Sequence, residues 1–217
     1  MTNSNSAMAG QAVYSKNVLA LYDVGVLGVS SLFFWRCPAK KLRKMFTDNL
    51  TKNHMDVGVG TGYFLDKCLT NTDRRVALLD LNSNSLEAAA SRISRFSPEV
   101  YQENVLEALD LNCEKFDSIS LNYLLHCLPG NMNEKAVVFE NLRPYLNPNG
   151  IIFGSTILGT GVGANFVARK VMSIYNRKGI FGNENDDLES LSKGLNENFK
   201  EVDIRVVGCV AMFVAKI

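Results

Sequence analysis

Two histidines, His54 and His126, and five cysteines, at positions 37, 68, 113, 127 and 209, are all the imidazole and thiol metal ligands that this 217-residue chain carries. The cysteines are odd in number, widely scattered and never spaced as Cys-x-x-Cys. Such spacing excludes a disulfide framework and a zinc site, and it suits a reducing, cytoplasmic compartment. No metal is expected. An excess of one charge is missing too. The 23 basic and 22 acidic side chains leave a net charge of +1, without the basic surplus of a nucleic-acid binder. The single basic cluster, Lys40-Lys41-Leu42-Arg43-Lys44, reads as the solvated face of a helix beginning at Pro38. Repeats and linkers are absent, and low complexity is confined to the Asn/Ser-rich first ten residues. With 47% apolar and 21% charged residues, the chain suits one well-buried soluble domain spanning 1–217.

Long apolar runs are scarce. One exists, Val18 to Trp35, with Asp23 as its only charge. A membrane-spanning helix needs about 20 apolar residues, and an Asp near its middle costs roughly 2.5–3.5 kcal/mol. The segment therefore reads as a buried or lid-forming pair of short helices, a membrane span at 18–35 being the alternative. The leader Met1–Gln11 lacks the basic start of a secretory signal.

What the chain does have is His-Met-Asp-Val-Gly-Val-Gly-Thr-Gly-Tyr at 54–63. It reads as a buried strand entering a tight turn through Gly58, Gly60 and Gly62. Glycines let a backbone approach a ligand where a Cβ would collide. Asp56 lies inside the motif, and Asp80 ends the next apolar run, Val76–Leu79. An acid there can grip a ribose diol with two charge-assisted hydrogen bonds. A dinucleotide fingerprint requires Gly-x-Gly-x-x-Gly, but Tyr63 stands where its third glycine would be. An acid at 56 is a poor neighbour for a pyrophosphate and a good one for a cation. The Gly159–Gly163 loop is followed by no Lys-Ser/Thr and is not a phosphate loop; a loop flanking an acceptor pocket suits it better.

Strand and helix signals alternate from there. Helix is expected over Phe64–Thr70, then strand over Arg75–Leu81. Asn82 or Ser83 caps a helix carrying Leu86, Ala89, Ala90, Ile93 and Phe96, and Pro98 stops it. Strands follow at Val100–Val105 and Phe116–Asn122, a helix at Met132–Leu146, and a turn at Asn147–Gly150. A fifth strand, Ile151–Ile157, precedes helices near 164–178 and 186–198. Two strands, Lys200–Val207 and Val210–Lys216, close the chain as antiparallel neighbours. This order implies an α/β fold: a doubly wound, mainly parallel sheet of seven strands with right-handed crossovers.

The pattern Asp-x-Gly-x-Gly-x-Gly resembles motif I of the class I S-adenosylmethionine (SAM) methyltransferases. The run from Phe116 through Leu-Leu-His-Cys-Leu-Pro-Gly, with Tyr22-Asp23 and Trp35-Arg36-Cys37-Pro38, is similar to a group of small bacterial and fungal methyltransferase-like proteins. The resemblance implies a Rossmann-like SAM-binding core over 51–217 behind an N-terminal helical cap or lid over 1–50. It implies that Asp56, Gly58, Gly60 and Gly62 face the methionine and ribose portions, that Asp80 takes the ribose hydroxyls, and that Leu81 and Asn82 lie beside the adenine. Asn104, with Val105, stands where the family usually has an adenine-binding Asp, so that contact loses its charge. Asn122 and Tyr123 end the fourth strand, where the family contacts the methionine end and the substrate. His126 is the candidate base, with Tyr14 and Tyr22 as residues that orient an acceptor.

A sulfonium methyl is already a good electrophile. Orientation alone contributes on the order of 7–11 kcal/mol, against roughly 10²–10⁴-fold from a general base. Lack of a catalytic dyad therefore does not argue against methyl transfer. The expected activity is SAM-dependent methylation of a small, rather hydrophobic metabolite in specialised metabolism, with the acceptor atom and oligomeric state open. Rival readings are a cyclisation or pericyclic step assisted by the same cofactor, a non-catalytic binding protein, and an NAD(P)-dependent oxidoreductase. Tyr63 and the missing Tyr-x-x-x-Lys dyad count against the last.

Overall fold

A computed structural model describes residues 33–217; Tyr14, Tyr22, Asp23 and most of the 18–35 and 1–50 segments lie outside the described residues. The seven strands are β1 (Asn53–Val57), β2 (Arg75–Leu79), β3 (Glu99–Tyr101), β4 (Phe116–Asn122), β5 (Leu146–Ile157), β6 (Glu201–Val207) and β7 (Val210–Lys216). They form one sheet in the order β3-β2-β1-β4-β5-β7-β6. The first five pair in parallel, while β7 runs antiparallel between β5 and β6. The reversal of strand order between β1 and β4 opens a crevice at their carboxyl ends, where open α/β sheets bind ligands.

The helices are α1 (Ala39–Asn49), α2 (Tyr63–Cys68), α3 (Ser83–Arg92), α4 (Met132–Lys135), α5 (Val137–Leu142), α6 (Phe166–Arg177) and α7 (Leu188–Asn198). Strand residues alternate between two apolar layers because their side chains point to opposite faces. On one face Phe46, Phe64, Leu86, Ala89 and Met172 from α1, α2, α3 and α6 pack with Leu78 and Phe153. On the other, Val138, Phe139, Leu142, Leu191 and Leu195 from α5 and α7 cover Met55, Ile119, Leu121, Ile152 and Phe213. Asn side chains start several helices by accepting an otherwise orphaned N–H. Asn82 accepts from Asn84, Asn165 from Ala168, and Asn131 forms a capping box with Glu134.

Three expected elements differ. The third strand ends at Tyr101, because Asn104 closes a turn by accepting from Leu106 N at 3.1 Å and from Glu107 N through its carbonyl. The helix expected over Met132–Leu146 is two short helices and a 3-10 turn, Arg143–Tyr145, with Pro144 near its start. The Asn147–Gly150 turn lies inside β5, as an excursion after Leu146. The register with β4 jumps from Phe116 opposite Leu146 to Ser118 opposite Ile151, and Asn149 takes a φ of 64°. Among the described residues no helix is long and apolar enough to cross a membrane.

Candidate functional site

A cavity of about 160 Å³ opens over the carboxyl ends of β1, β2 and β4. Its floor is the turn between β1 and α2. Gly60 has a φ of 53°, and a Cβ there would meet nothing within 4 Å, so the bare backbone faces open space. Gly62, at φ 71°, is different: an added Cβ would come 3.0 Å from Ala89 Cα on α3. Gly60 presents backbone to a ligand, and Gly62 lets the turn seat against a helix.

Asp80 stands at the end of β2 on the cavity wall. The Asn82 amide donates to its Oδ1 at 2.8 Å, and the amides of Gly60, Val59 and Leu81 also stabilise its charge. Burial outweighs them and raises its pKa to about 6. Leu81, Asn82, Asn104, Val105, Gly58, Gly60, Asn122 and Tyr123 all line the same cavity. Asn104 is already engaged: Oδ1 accepts from Leu106 N, and Nδ2 donates to Glu107 at 2.8 Å.

Like Gly62, two further expected residues sit off the cavity wall. Asp56 lies beneath the floor rather than on it. Its strand parity is that of His54, and Ser120 Oγ on β4 donates to its Oδ1. The network continues inward, since His54 Nδ1 meets Ser118 Oγ at 2.8 Å and Nε2 meets Ser120 Oγ at 3.1 Å. Burial raises the Asp56 pKa to about 7, against the opposing pull of the Ser120 bond. His126 sits in a 3-10 turn, Leu125–Cys127, and is only 2% exposed. Its Nδ1 accepts from Ile157 N at 3.4 Å, and its ring packs edge-on against Phe181 and Tyr123. It supports the wall from behind. Burial, with Lys135 adding, lowers its pKa to about 3.

The wall on the β4 side also holds Leu124, Cys127, Leu128, Pro129 and Ile180. The first four follow directly from the carboxyl end of β4. Ile180 arrives from the far end of α6 and carried no signal in the sequence.

These buried groups give stability a signed pH dependence. Asp56, raised from 3.8 to about 7, holds a proton in the fold that the unfolded chain has released. Its contribution is fully present below 3.8 and is lost as pH rises through about 7. His54 and His126 oppose it: each falls from 6.5 to about 3, so stability is lost as pH drops from 6.5 towards 3. Each such group contributes a slope of up to about 1.4 kcal/mol per pH unit. Asp56→Asn cannot ionise, and its urea midpoint is expected to fall less than that of the parent as pH rises through 7. Parallel curves for the two proteins would show that Asp56 does not titrate in the fold.

Comparison with known proteins agrees with this architecture. Residues 55–152 match the methyltransferase domain family. The chain is 39% identical to a physcion biosynthesis cluster O-methyltransferase of Aspergillus chevalieri, over 95% of this chain and 94% of that one. It is 36% identical to the demethylluteothin O-methyltransferase of Streptomyces thioluteus, covering 94% and 89%. Among solved structures, the N-methyltransferase NodS of Bradyrhizobium japonicum WM9 with S-adenosyl-L-homocysteine superimposes with a TM-score of 0.62. That match has 16% identity and covers 100% of this chain and 98% of NodS.

Proposed function

This chain belongs to the class I SAM-dependent methyltransferases, and from that premise we propose that it methylates a hydroxyl oxygen of a small, largely apolar metabolite. The observation that carries the reading is the pairing of a bare glycine backbone with a partly buried carboxylate, Asp80, on one cavity wall. Both suit SAM: a ribose diol for Asp80, and no phosphate to bring into its field. Adenine would lie by Leu81 and Asn82 and against the backbone at Asn104–Val105, since the Asn104 carboxamide is taken up by its own turn. The Gly58–Gly60 and Asn122–Tyr123 backbone would face the methionine end. Asp56, close below, adds an ionisable acid beneath a cationic ligand.

Bound here, SAM would supply an electrophilic methyl on a positively charged sulfur, and the acceptor hydroxyl would release its proton as it becomes the methyl ether. The chain has to orient the acceptor and exclude water. Leu124, Leu128, Pro129 and Ile180 supply an apolar wall for it. Oxygen as the acceptor atom is supported by relatives named as O-methyltransferases. Incubation with methyl-labelled SAM and a panel of hydroxylated aromatic compounds tests this. Label on oxygen together with S-adenosylhomocysteine is expected, whereas a rearranged product with SAM unconsumed would favour the non-methylating alternative.

The placement of His126 supports a role in holding the wall over proton transfer. His126→Asn retains an acceptor near Ile157 N. It is expected to cost about 1–2 kcal/mol of stability through lost packing and to leave the inflections of the pH–turnover curve in place. Disappearance of an inflection would put His126 at the reacting atoms.

A further inference from the structure

We propose that the chain pairs with a second copy of itself along the outer edge of β6. The two β6 strands run antiparallel about a two-fold axis at Ile204, so that Asp203 of each chain meets the partner's Arg205. That edge lies three strands beyond β4, and pairing there leaves the cavity over β1, β2 and β4 open.

β6 ends the sheet, and among the described residues no strand pairs with its outer edge. It runs for seven residues, Glu201–Val207, in unbroken register with β7. Edge strands are usually shortened, bulged or interrupted by proline. This one contains neither proline nor glycine, so it presents a regular row of N–H and C=O groups. The opposite edge, β3, has only three residues. Side chains of β6 alternate between two faces. Val202, Ile204 and Val206 share the face of their β7 partners Ala215, Phe213 and Ala211. There Val202 and Ile204 extend the apolar layer, while Val206 is 38% exposed. Asp203 and Arg205 stand on the other face opposite Val214 and Met212, both exposed, and neither has an ion-pair partner among the described residues.

Charges on an edge deter association when like meets like, so the register decides. A two-fold axis perpendicular to the sheet keeps each face on the same side in both copies, and directly opposite residues must share a face. The axis therefore passes through a residue position. Only positions 203, 204 and 205 let five or more residues of β6 meet their counterparts. An axis at 203 sets Asp203 against its own copy, and one at 205 does the same to Arg205. An axis at Ile204 pairs all seven residues and sets unlike charges opposite, Asp203 against Arg205, at two symmetric places. On the other face it sets Val202 against Val206 twice and Ile204 against itself. Opposed side chains lie about 4.5–5.5 Å apart at Cβ, within reach of a carboxylate–guanidinium pair. Glu201 falls opposite Val207 and keeps Lys216, its neighbour at 2.8 Å. About six to eight main-chain hydrogen bonds join the two strands, and the two sheets become one.

The test is the mass of the full chain in solution at low salt, read by sedimentation equilibrium. The parent is expected to reach twice the 24.0 kDa of one chain. Asp203→Arg and Arg205→Asp each set like charges against one another at both contacts. Either variant alone is expected to associate about 10–100-fold more weakly than the parent. Mixed in equal amounts, the two single variants offer each other only unlike charges, and the mixture is expected to dimerise as the parent does. A folding defect in either variant could not produce that rescue. A parent that sediments as one chain, single variants that dimerise as tightly as the parent, or a mixture no tighter than its components would each overturn the proposal.

Discussion

Asp80→Ala is expected to weaken the binding of SAM and S-adenosylhomocysteine by roughly 10–100-fold, a loss of about 1.4–2.8 kcal/mol. One hydrogen bond to a charged group contributes about 1.5–3 kcal/mol, and a ribose diol would make two, with water recovering part of the loss in the variant. The carboxylate also anchors the turn, since the amides of Val59, Gly60, Leu81 and Asn82 converge on it. The effect has a pH signature. The acid titrates at about 6, and only its ionised form accepts both hydroxyls. Affinity of the parent is expected to fall as pH drops through 6, while that of Asp80→Ala has no such step. Titration calorimetry on either side of that pH reads both effects, and equal affinities for parent and variant would remove Asp80 from the ligand.

The largest loss of stability is expected from Lys135→Met. Lys135 Nζ donates to Asp186 Oδ2 at 2.6 Å and to Gly182 O at 2.8 Å, and both charged side chains are fully buried. The pair ties α4 to the segment behind the cavity, where Gly159 N and Thr160 N donate to Asp186 O and Gly182 N donates to His126 O. Removing the lysine leaves a carboxylate buried without its counter-ion, which costs about 3–5 kcal/mol of a total stability on the order of 5–15 kcal/mol. Asp186 Oδ1 lacks a hydrogen bond even in the parent, so the pair is incompletely satisfied. Lys135→Met combined with Asp186→Leu is therefore expected to recover most of the loss. Exposed pairs such as Lys44–Asp48 would give 1 kcal/mol or less. Urea denaturation of the single and double variants decides this: a single variant within about 1 kcal/mol of the parent, or a double variant no better than the single, would contradict it.

The parts of this molecule legible in its sequence are those set by local backbone chemistry. The glycines at 58, 60 and 62 mark a turn that no side chain obstructs, and Asp80 follows a run of β-formers; the expected mainly parallel sheet of seven strands is the one found. The end of β3 is not legible, because the Asn104 turn competes with the strand, and the Asn147–Gly150 signal reads as a boundary where the structure has a bulge within β5. Which way a side chain points depended on pairing partners far along the chain. Asp56 shares a face with His54; Asp56 meets Ser120, and His54 meets Ser118 and Ser120, all more than sixty residues away. The alternation Ser118-x-Ser120-x-Asn122 held the clue, since parity places all three on one face of β4. His126 is buried by Phe181, which no local pattern announces.

The central claim is that the crevice between β1 and β4 takes a cationic sulfur nucleoside by its sugar. Calorimetric titration of the purified chain with SAM, S-adenosylhomocysteine and NAD tests it most directly. Saturable binding of the first two, with no heat from NAD, is the expected result. Binding of NAD in their place would contradict it.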